Sequence, residues 1–446
     1  MALAALPTPE GLSLEGQRVL TVVVFAIGLW STGAMAPGVT ALLVVVALTL
    51  SGGAPSLGAA LSGFAEPIAY FLVGVLTLGL AVSKSGLADR VARLSLHRSG
   101  GRPRALYGQM LLAFPLLTLL LPSATTRTAI LVHVYEQALT LSGVPRGAPL
   151  AKAVMLALNS VNRLASTVLL TGGITPVVAS GLIGGLSWTR WFVLMSVPYA
   201  VLLAVGAATI YALHGKGFGG QLTLAEPPPR SRLTGVEVRT LVITIGASML
   251  WLTDAWHHWH PAIPAILAWV ALLAPRIGVL SWSEFERGLG WANLFVLAAS
   301  LSLAQAMMRS GAGDWLAGLI LRSVPSLAAQ PLLLVLALLL SAACMRLVIP
   351  NITGFLALTI PVAMSLGAGG GLDRIACGLV VMIAGDAVLY YPAQSASSLV
   401  VYERGHLTAP EIFRFGLWMT LIAFAVVLGV ALPYWALVGQ PLVAVH

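Results

Sequence analysis

The sequence contains few charged residues and almost no cysteine. Only 9% of its 446 residues are Asp, Glu, Lys or Arg, whereas 58% are hydrophobic, and the mean hydropathy is +0.94. A soluble domain of this size needs more charged residues to form a polar surface. The composition therefore argues against a water-soluble protein and predicts a polytopic membrane protein. The two cysteines, Cys344 and Cys377, lie inside apolar runs, which argues against a disulfide or metal framework.

Motifs of nucleotide-driven proteins and of hydrolases are missing as well. The glycines at 369–371 are interpreted as a loop, and no Walker motif occurs elsewhere. Ser395 and Ser397 have no His or Asp in a hydrolase-like arrangement. The histidines of residues 254–260 could suggest zinc, but they lie among tryptophans typical of an interfacial belt. We therefore expect no enzyme activity, no metal and no cofactor.

Basic residues outnumber acidic ones by 24 to 15, and they cluster in the loops. We interpret them as topology determinants beside anionic membrane lipid, and not as a nucleic-acid-binding surface. The most basic short segment, residues 83–104, begins with charges at helical spacing against Leu and Val, which predicts an interfacial helix. We therefore place this segment in the cytoplasm. The chain as a whole is expected to be a multi-pass protein of the cell (inner) membrane.

Two apolar stretches are interrupted by short polar turns. The first covers residues 105–141 and breaks at 122–127, whereas the second covers residues 331–366 and breaks at 349–354. The hydrocarbon core is roughly 30 Å thick, and about 20 apolar residues are needed to span it. Each apolar arm is shorter than this, which predicts two re-entrant hairpins. Exposed backbone at membrane depth must be buried in protein or line a wet cavity, so both tips are candidate binding sites.

The second half of the chain repeats the plan of the first. Apolar helices break at residues 171–176 and again near 391–397, and Asp89 and Asp314 end similar five-residue motifs. Each repeat has about five spans. Because an odd number of spans ends on the opposite side of the bilayer from where it began, the second copy is expected to be inverted. The predicted fold is therefore an all-α polytopic membrane protein with about ten spans in two inverted repeats, each with a re-entrant hairpin and a broken helix. This architecture is typical of secondary transporters.

Several segments resemble the divalent-anion:sodium symporter family, which carries dicarboxylates, citrate or sulfate. They are residues 281–288, 309–316, 395–408 and 413–416. The resemblance covers most of the chain. It implies a homodimeric elevator, in which early spans of each repeat form a scaffold and the hairpins, broken helices and final spans form a moving transport part.

Applied to this chain, the resemblance implies five regions. They are residues 1–104 (scaffold spans and interfacial helix of the first repeat), 105–213 (first hairpin, broken helix and following span), 214–236 (cytoplasmic linker), 237–325 (scaffold spans and interfacial helix of the second repeat) and 326–446 (second hairpin, broken helix and last span).

The family binds carboxylates and flanking sodium ions with a Ser-Asn-Thr motif at each tip and a Thr-Pro-Pro-Asn or similar turn at each break. This chain departs from that pattern, since its first tip reads Ser-Ala-Thr and its second reads Pro-Asn-Ile-Thr. Because of these differences, the resemblance does not decide whether this chain binds sodium. The residues expected to bind substrate are Ser123, Ala124, Thr125, Gly172, Gly173, Thr175, Asn351, Ile352, Thr353, Gln394, Ser395, Ala396 and Ser397.

Charged residues inside the apolar segments are functional hypotheses, because each costs about 2.5–3.5 kcal/mol on insertion scales. Arg163 and Asp386 replace small polar residues of the family at nearly symmetric places. We hypothesise that the Arg163 guanidinium stands in for a sodium ion, with Asp386 as counter-ion or proton carrier. The alternative is a static Arg163–Asp386 pair. Arg127 is a third candidate, unless it snorkels to the headgroups, and Arg346 is a weaker one.

We predict a secondary transporter of small divalent anions, with dicarboxylates as the expected substrates and sodium-independent coupling by protons or exchange. Sulfate or another oxyanion is the alternative substrate. An anion channel is the alternative class, although Pro- and Gly-rich tips at the midplane argue against a continuous pore. A membrane enzyme would require an acid and a base together, whereas Asp386 is the only deep carboxylate identified.

Overall fold

A computed structural model describes residues 7–121, 123–224 and 232–443. Within these ranges the protein is α-helical and forms no β-strand, only an isolated bridge between Leu372 and Val443. Eight of the described helices are long and apolar enough to cross a bilayer. The predicted all-α polytopic fold is therefore confirmed. Pro122 of the first tip and the prolines of the linker lie outside the described residues.

The first half of the chain builds two paired helices, a third long helix, a short helix at the predicted interfacial position, a hairpin, a broken helix and a long final helix. In order these are α1 (Leu14–Thr32), α2 (Pro37–Leu50), α3 (Pro67–Ser85), α4 (Leu87–Arg98), α5 (Pro103–Leu120), α6 (Ala124–Leu141), α7 (Pro149–Leu156, a π-helical turn Ala157–Val161, and Asn162–Thr167), α8 (Ile174–Ile183) and α9 (Trp188–His214).

The second half contains the same sequence of elements. They are α10 (Gly235–Leu252), α11 (Ala262–Leu273), α12 (Trp291–Arg309), α13 (Ala312–Ser323), α14 (Pro331–Val348), α15 (Ile352–Gly369), α16 (Arg374–Asp386), α17 (Ala396–Tyr402) and α18 (Ala409–Val426, a π-helical turn Val427–Ala431, and Leu432–Leu437). The first hairpin is thus α5–α6, the second hairpin is α14–α15, and the first and second breaks follow α7 and α16.

Contacts between the two halves are reciprocal. Helix α2 packs along α12, and α11 packs along α3. Glycine permits both approaches: a Cβ added to Gly38 would lie 3.2 Å from the Ala292 Cα, and one added to Gly74 would lie 2.5 Å from the Ala265 carbonyl oxygen. Reciprocity of this kind is what two related repeats would produce. The inverted orientation of the second repeat stays a prediction.

The hairpin arms are longer than the apolar runs indicated, with 18 residues in each of the four helices. At about 1.5 Å per residue such an arm spans roughly 27 Å, close to the thickness of the hydrocarbon core. The argument from short arms is wrong for the second hairpin, because both α14 and α15 are long and apolar enough to cross. Polar residues continue the helices, and neither Pro115 nor Pro361 ends one. A re-entrant path remains a prediction.

Candidate functional site

Both hairpin tips and both helix breaks open into a cavity of about 500 Å³. The predicted substrate-binding residues that line it are Ser123, Ala124, Thr125, Gly173, Thr175, Asn351, Ile352, Thr353, Gln394, Ser395, Ala396 and Ser397. Gly172 does not line the cavity. It packs against α7, where an added Cβ would lie 1.9 Å from the Ser166 carbonyl oxygen. Residues more than 220 positions apart in the chain are thus brought to one place.

Besides α2 of the predicted scaffold, which begins at Pro37, three helices of ten residues or more begin at this cavity: α6, α8 and α15. Ser123 caps α6 by accepting a hydrogen bond from the Thr126 N–H at 3.3 Å, and Asn351 caps α15 by accepting from the Thr353 N–H at 2.9 Å. Gly173 supplies no side-chain cap for α8. Because helix N-termini carry partial positive charge and free N–H groups, their convergence favours an anion.

The part of the cavity lining that comes from the predicted scaffold is largely apolar, and we call it the apolar wall. Trp30 and Pro37 contribute from α1 and α2, and Leu76 contributes from α3. Asn293 is the polar exception. The cavity therefore offers hydrogen-bond donors from the tips and breaks and hydrocarbon contact from the apolar wall, which suits a ligand with anionic groups on a short carbon chain.

Gln394 makes structural contacts that the sequence did not indicate. Its Nε2 donates to the Arg346 carbonyl oxygen at 2.6 Å, and its Oε1 accepts from the Tyr390 N–H at 2.6 Å. Both polar groups of the amide are therefore engaged with backbone, and the side chain is buried. Gln394 thus braces the second break against the second hairpin. It also lines the cavity, and its role in substrate binding stays a prediction.

Arg163 and Asp386 form a buried ion pair between α7 and the end of α16. The Arg163 Nη1 lies 2.6 Å from the Asp386 Oδ1, and its Nη2 also donates to the Asp386 carbonyl oxygen. The other carboxylate oxygen accepts from the Thr167 hydroxyl at 2.7 Å and from the Tyr199 hydroxyl at 3.0 Å. Asp386 is fully buried. Such a pair fits both a static link between the two helices and the hypothesis that Asp386 is the counter-ion of Arg163, so the roles of both residues stay predictions.

Arg127 is fully buried, so it does not snorkel to the headgroups. Its guanidinium donates to the Asn162 Oδ1 at 2.6 Å, to the Ser166 Oγ at 2.5 Å and to the Leu121 carbonyl oxygen at 3.0 Å. The Leu121 carbonyl lies just beyond the end of the first arm of the hairpin. Within the described residues Arg127 has no acidic partner, so it keeps a full positive charge behind the first tip.

Arg346 holds the corresponding position at the second tip and lines the cavity. It is 1% exposed and donates to the Ile349 and Pro350 carbonyl oxygens at 2.8 and 2.5 Å. It also reaches the Gln394 carbonyl oxygen at 3.3 Å, on the second break. No carboxylate in the described part of the chain pairs with it. The sequence ranked Arg346 below the other candidates, whereas the structure gives it a direct place in the site.

The site therefore carries more positive than negative charge. Arg127, Arg163 and Arg346 stand against the single carboxylate of Asp386, and no described acidic residue lines the cavity. Two positive charges remain without an acidic partner. Uncompensated charge in a desolvated site is costly by several kcal/mol, and a bound dianion would offset it.

Asn162, Ser166, Thr167 and Tyr199 are site residues that the sequence analysis did not single out as ligands. Asn162 and Ser166 are four residues apart on α7 and both accept from Arg127. Thr167 lies four residues after Arg163 on the same helix and shares Asp386 with it. Helical spacing around Arg163 was the signal that could have identified these residues.

Comparison with known proteins identifies the chain once this geometry is known. Residues 1–440 match the family described as "Sodium:sulfate symporter transmembrane region". The chain belongs to this family. It is thus a multi-pass membrane transporter of the divalent anion:sodium symporter family, and not an enzyme.

Relatives of the chain are transporters or membrane proteins by name. A "Membrane protein" of Cupriavidus necator is 24% identical over 98% of this chain and 91% of the relative. A "Citrate/succinate antiporter" of Escherichia coli is 22% identical over 86% of this chain and 80% of the relative. The crystal structure of the Alcanivorax borkumensis YdaH transporter superposes with a TM-score of 0.57, at 16% identity, over 86% of this chain and 88% of that one. The last similarity shows the fold alone.

Proposed function

We propose that this protein is a secondary active transporter of small organic dianions, with dicarboxylates as its main substrates. The observation that carries the proposal is the presence of Arg127 and Arg346, each buried beside a hairpin tip without an acidic partner among the described residues. Two fixed positive charges match the two carboxylates of a dianion. The apolar wall formed by Trp30 and Leu76 suits the carbon chain between those carboxylates.

We further propose that transport is independent of sodium and proceeds by exchange. At each tip a guanidinium donates to the backbone carbonyls where the first hairpin arm ends, at Leu121 and at Ile349. Carbonyl oxygens of this kind are ligands that a bound cation would otherwise use. A fixed charge at both tips removes the need for a mobile one. The citrate/succinate antiporter of E. coli, a relative by sequence, is an exchanger by name.

An elevator movement is our proposal for alternating access. Tips and breaks supply most of the donors of the cavity, whereas α1, α2 and α3 supply the apolar wall. A substrate held by the tips and breaks could therefore travel with them past a static wall. We also propose that the protein forms a homodimer in the inner membrane, which the mass of the nanodisc-embedded protein would test.

The test is uptake of radiolabelled succinate into proteoliposomes under three conditions: an imposed sodium gradient, an imposed proton gradient, and internal succinate alone. We expect saturable uptake that internal succinate drives without sodium. A strict sodium requirement would contradict the fixed-charge argument. Flux without saturation would indicate a channel, and competition by sulfate stronger than by dicarboxylates would make sulfate the substrate.

A further inference from the structure

A second cavity has a volume of about 510 Å³. It is formed by the interfacial helix α13, the end of α15 and the start of α16. None of its lining residues lines the cavity at the tips and breaks. Its polar side chains are Arg322, Arg374, Ser365 and Asp314.

Two glycines shape this groove between α13 and α15. An added Cβ at Gly369 would lie 2.9 Å from the Leu321 Cδ1, so the two helices approach closely there. An added Cβ at Gly318 would lie 3.4 Å from the Arg322 Nη2, which places this guanidinium over the glycine. The absence of a side chain at Gly318 therefore lets Arg322 lie along the groove.

The charges of the groove are not satisfied within the protein. Neither Arg322 nor Arg374 forms an ion pair or side-chain hydrogen bond with another described residue, and the Ser365 hydroxyl also lacks a hydrogen-bond partner there. Asp314 is the acidic residue of the groove, and it lies in the first turn of α13, where the helix dipole stabilises a carboxylate. Two exposed arginines and a hydroxyl thus remain available to an external ligand.

We infer that the groove lies at the headgroup level of a bilayer, because neighbouring spans end beside it. The span α12 ends at Arg309 just before α13, and α15 ends at Gly369. On α13, Leu319 and Ile320 are 49% and 37% exposed. An amphipathic helix of this kind places its apolar face against acyl chains and its charges among headgroups.

We propose that this groove binds the phosphodiester headgroup of an anionic phospholipid. Arg322 and Arg374 donate charge-assisted hydrogen bonds to the phosphate oxygens, the Ser365 hydroxyl donates a third, and the acyl chains lie along the exposed face of α13. Because α13 belongs to the predicted scaffold and α15 to the predicted transport part, such a lipid would bridge the two. That consequence rests on the proposed elevator, whereas the binding site does not.

The test uses the full-length protein in detergent, titrated with short-chain phosphatidylglycerol or phosphatidylcholine and followed by native mass spectrometry and by thermal unfolding. Wild type is expected to retain phosphatidylglycerol and to unfold at a higher temperature with it. Each of Arg322→Gln and Arg374→Gln should weaken this binding roughly fivefold, and the double variant roughly 25-fold. Arg287→Gln, an exposed arginine on the helix Trp282–Gly288, is the matched control and should bind as wild type does.

Unfolding temperatures without lipid keep the outcome interpretable. Equal temperatures for wild type and the double variant would show that both fold alike. Equal retention of phosphatidylglycerol by wild type and double variant would overturn the proposal. So would equal retention of phosphatidylcholine and phosphatidylglycerol by wild type. Displacement of the lipid by millimolar inorganic phosphate, with the same protection by phosphate alone, would assign the groove to a free anion instead.

Discussion

The two hairpins hold their arginines on opposite arms. Arg127 follows the first tip on α6, whereas Arg346 precedes the second tip on α14. Both nevertheless donate to carbonyls at the end of the first arm, at Leu121 and at Ile349, and both reach a broken helix of their own half. The spatial position of the charge is thus the same while its place in the sequence differs.

This difference shows what fixes the charge at each tip. Carbonyls that end a helix have no partner within that helix and attract a cation, whichever arm supplies it. The symmetric motifs that end at Asp89 and Asp314 are 225 residues apart, whereas Arg127 and Arg346 are 219 apart. An alignment of the two repeats therefore does not superpose the arginines, although the folded hairpins give them equivalent partners.

The largest effect is expected from the buried pair that contrasts with these unpaired arginines. Asp386→Leu leaves Arg163 without its carboxylate, and removing one partner of a buried pair costs about 3–5 kcal/mol. We expect a large loss of thermal stability in detergent. The double variant Arg163→Met/Asp386→Leu should recover most of it, because an apolar pair of similar volume replaces both charges.

Asp386→Asn addresses the proton-carrier hypothesis separately. Substrate uptake by this variant should keep the pH profile of wild type if Asp386 only holds Arg163 in place. A flattened profile would instead restore Asp386 as a proton carrier and would contradict the static pair.

A smaller but more specific effect is expected at the tips. Arg346→Met removes a guanidinium that lines the cavity, so succinate binding should weaken by about 10- to 100-fold, the equivalent of roughly 1.5–3 kcal/mol. Arg127→Met should weaken it less, because Arg127 lies behind the first tip and does not line the cavity. Binding competition with succinate and with butyrate measures both variants, and the monoanion should lose less than the dianion.

Arg346→Lys is the control for charge without the planar fork. If it binds succinate as weakly as Arg346→Met, the contacts to the Ile349 and Pro350 carbonyls matter more than the charge. Equal losses of succinate and butyrate in Arg346→Met would contradict the assignment of this charge to the second carboxylate.

The sequence predicted the tips and breaks well because their signals are local. Proline, glycine and hydroxyl residues interrupt apolar runs at Ser123, Gly173, Asn351 and Ser395, and all four positions line the cavity. The length of the hairpin arms was underestimated because polar residues of α6 continue the helix.

Partners supplied by tertiary structure could not be predicted in the same way. The carbonyls that hold Arg346 include those of Gly385 and Gln394, which lie 39 and 48 residues further along the chain. Gln394, which is predicted to bind substrate, also donates a hydrogen bond to the Arg346 carbonyl oxygen, a contact that the sequence did not indicate. Residue type marks a position as polar, and only the fold decides which polar group satisfies it.

The caps of the two tips offer a third comparison with smaller expected effects. Ser123 accepts one backbone hydrogen bond at 3.3 Å, whereas Asn351 accepts two, at 2.9 and 3.1 Å. Loss of an N-cap costs about 0.5–2 kcal/mol. We expect Asn351→Ala to lower the unfolding temperature more than Ser123→Ala does. The opposite order would mean that Asn351 serves the substrate more than its helix.

The smallest effect is expected at the ends of the predicted scaffold. Lys84 at the end of α3 pairs with Glu284 of the helix Trp282–Gly288 at 2.6 Å, and both side chains are partly exposed. At the corresponding end of α12, Gln305 donates to the Glu66 carboxylate at 2.6 Å, so this end is held by a different kind of bond. The two ends should therefore respond differently to pH.

The hydrogen bond from Lys84, together with the Ser281 N–H, lowers the pKa of Glu284 to about 2. A carboxylate with a lowered pKa stabilises the fold above its unfolded pKa of about 4.3, and that contribution is lost as the pH falls toward the folded value. The difference in unfolding temperature between wild type and Glu284→Gln should thus be small, constant from neutral pH down to about pH 5, and should shrink between about pH 4.3 and 2. If this difference stayed constant throughout the acidic range, the ion pair between Lys84 and Glu284 would contribute nothing to the stability of the fold.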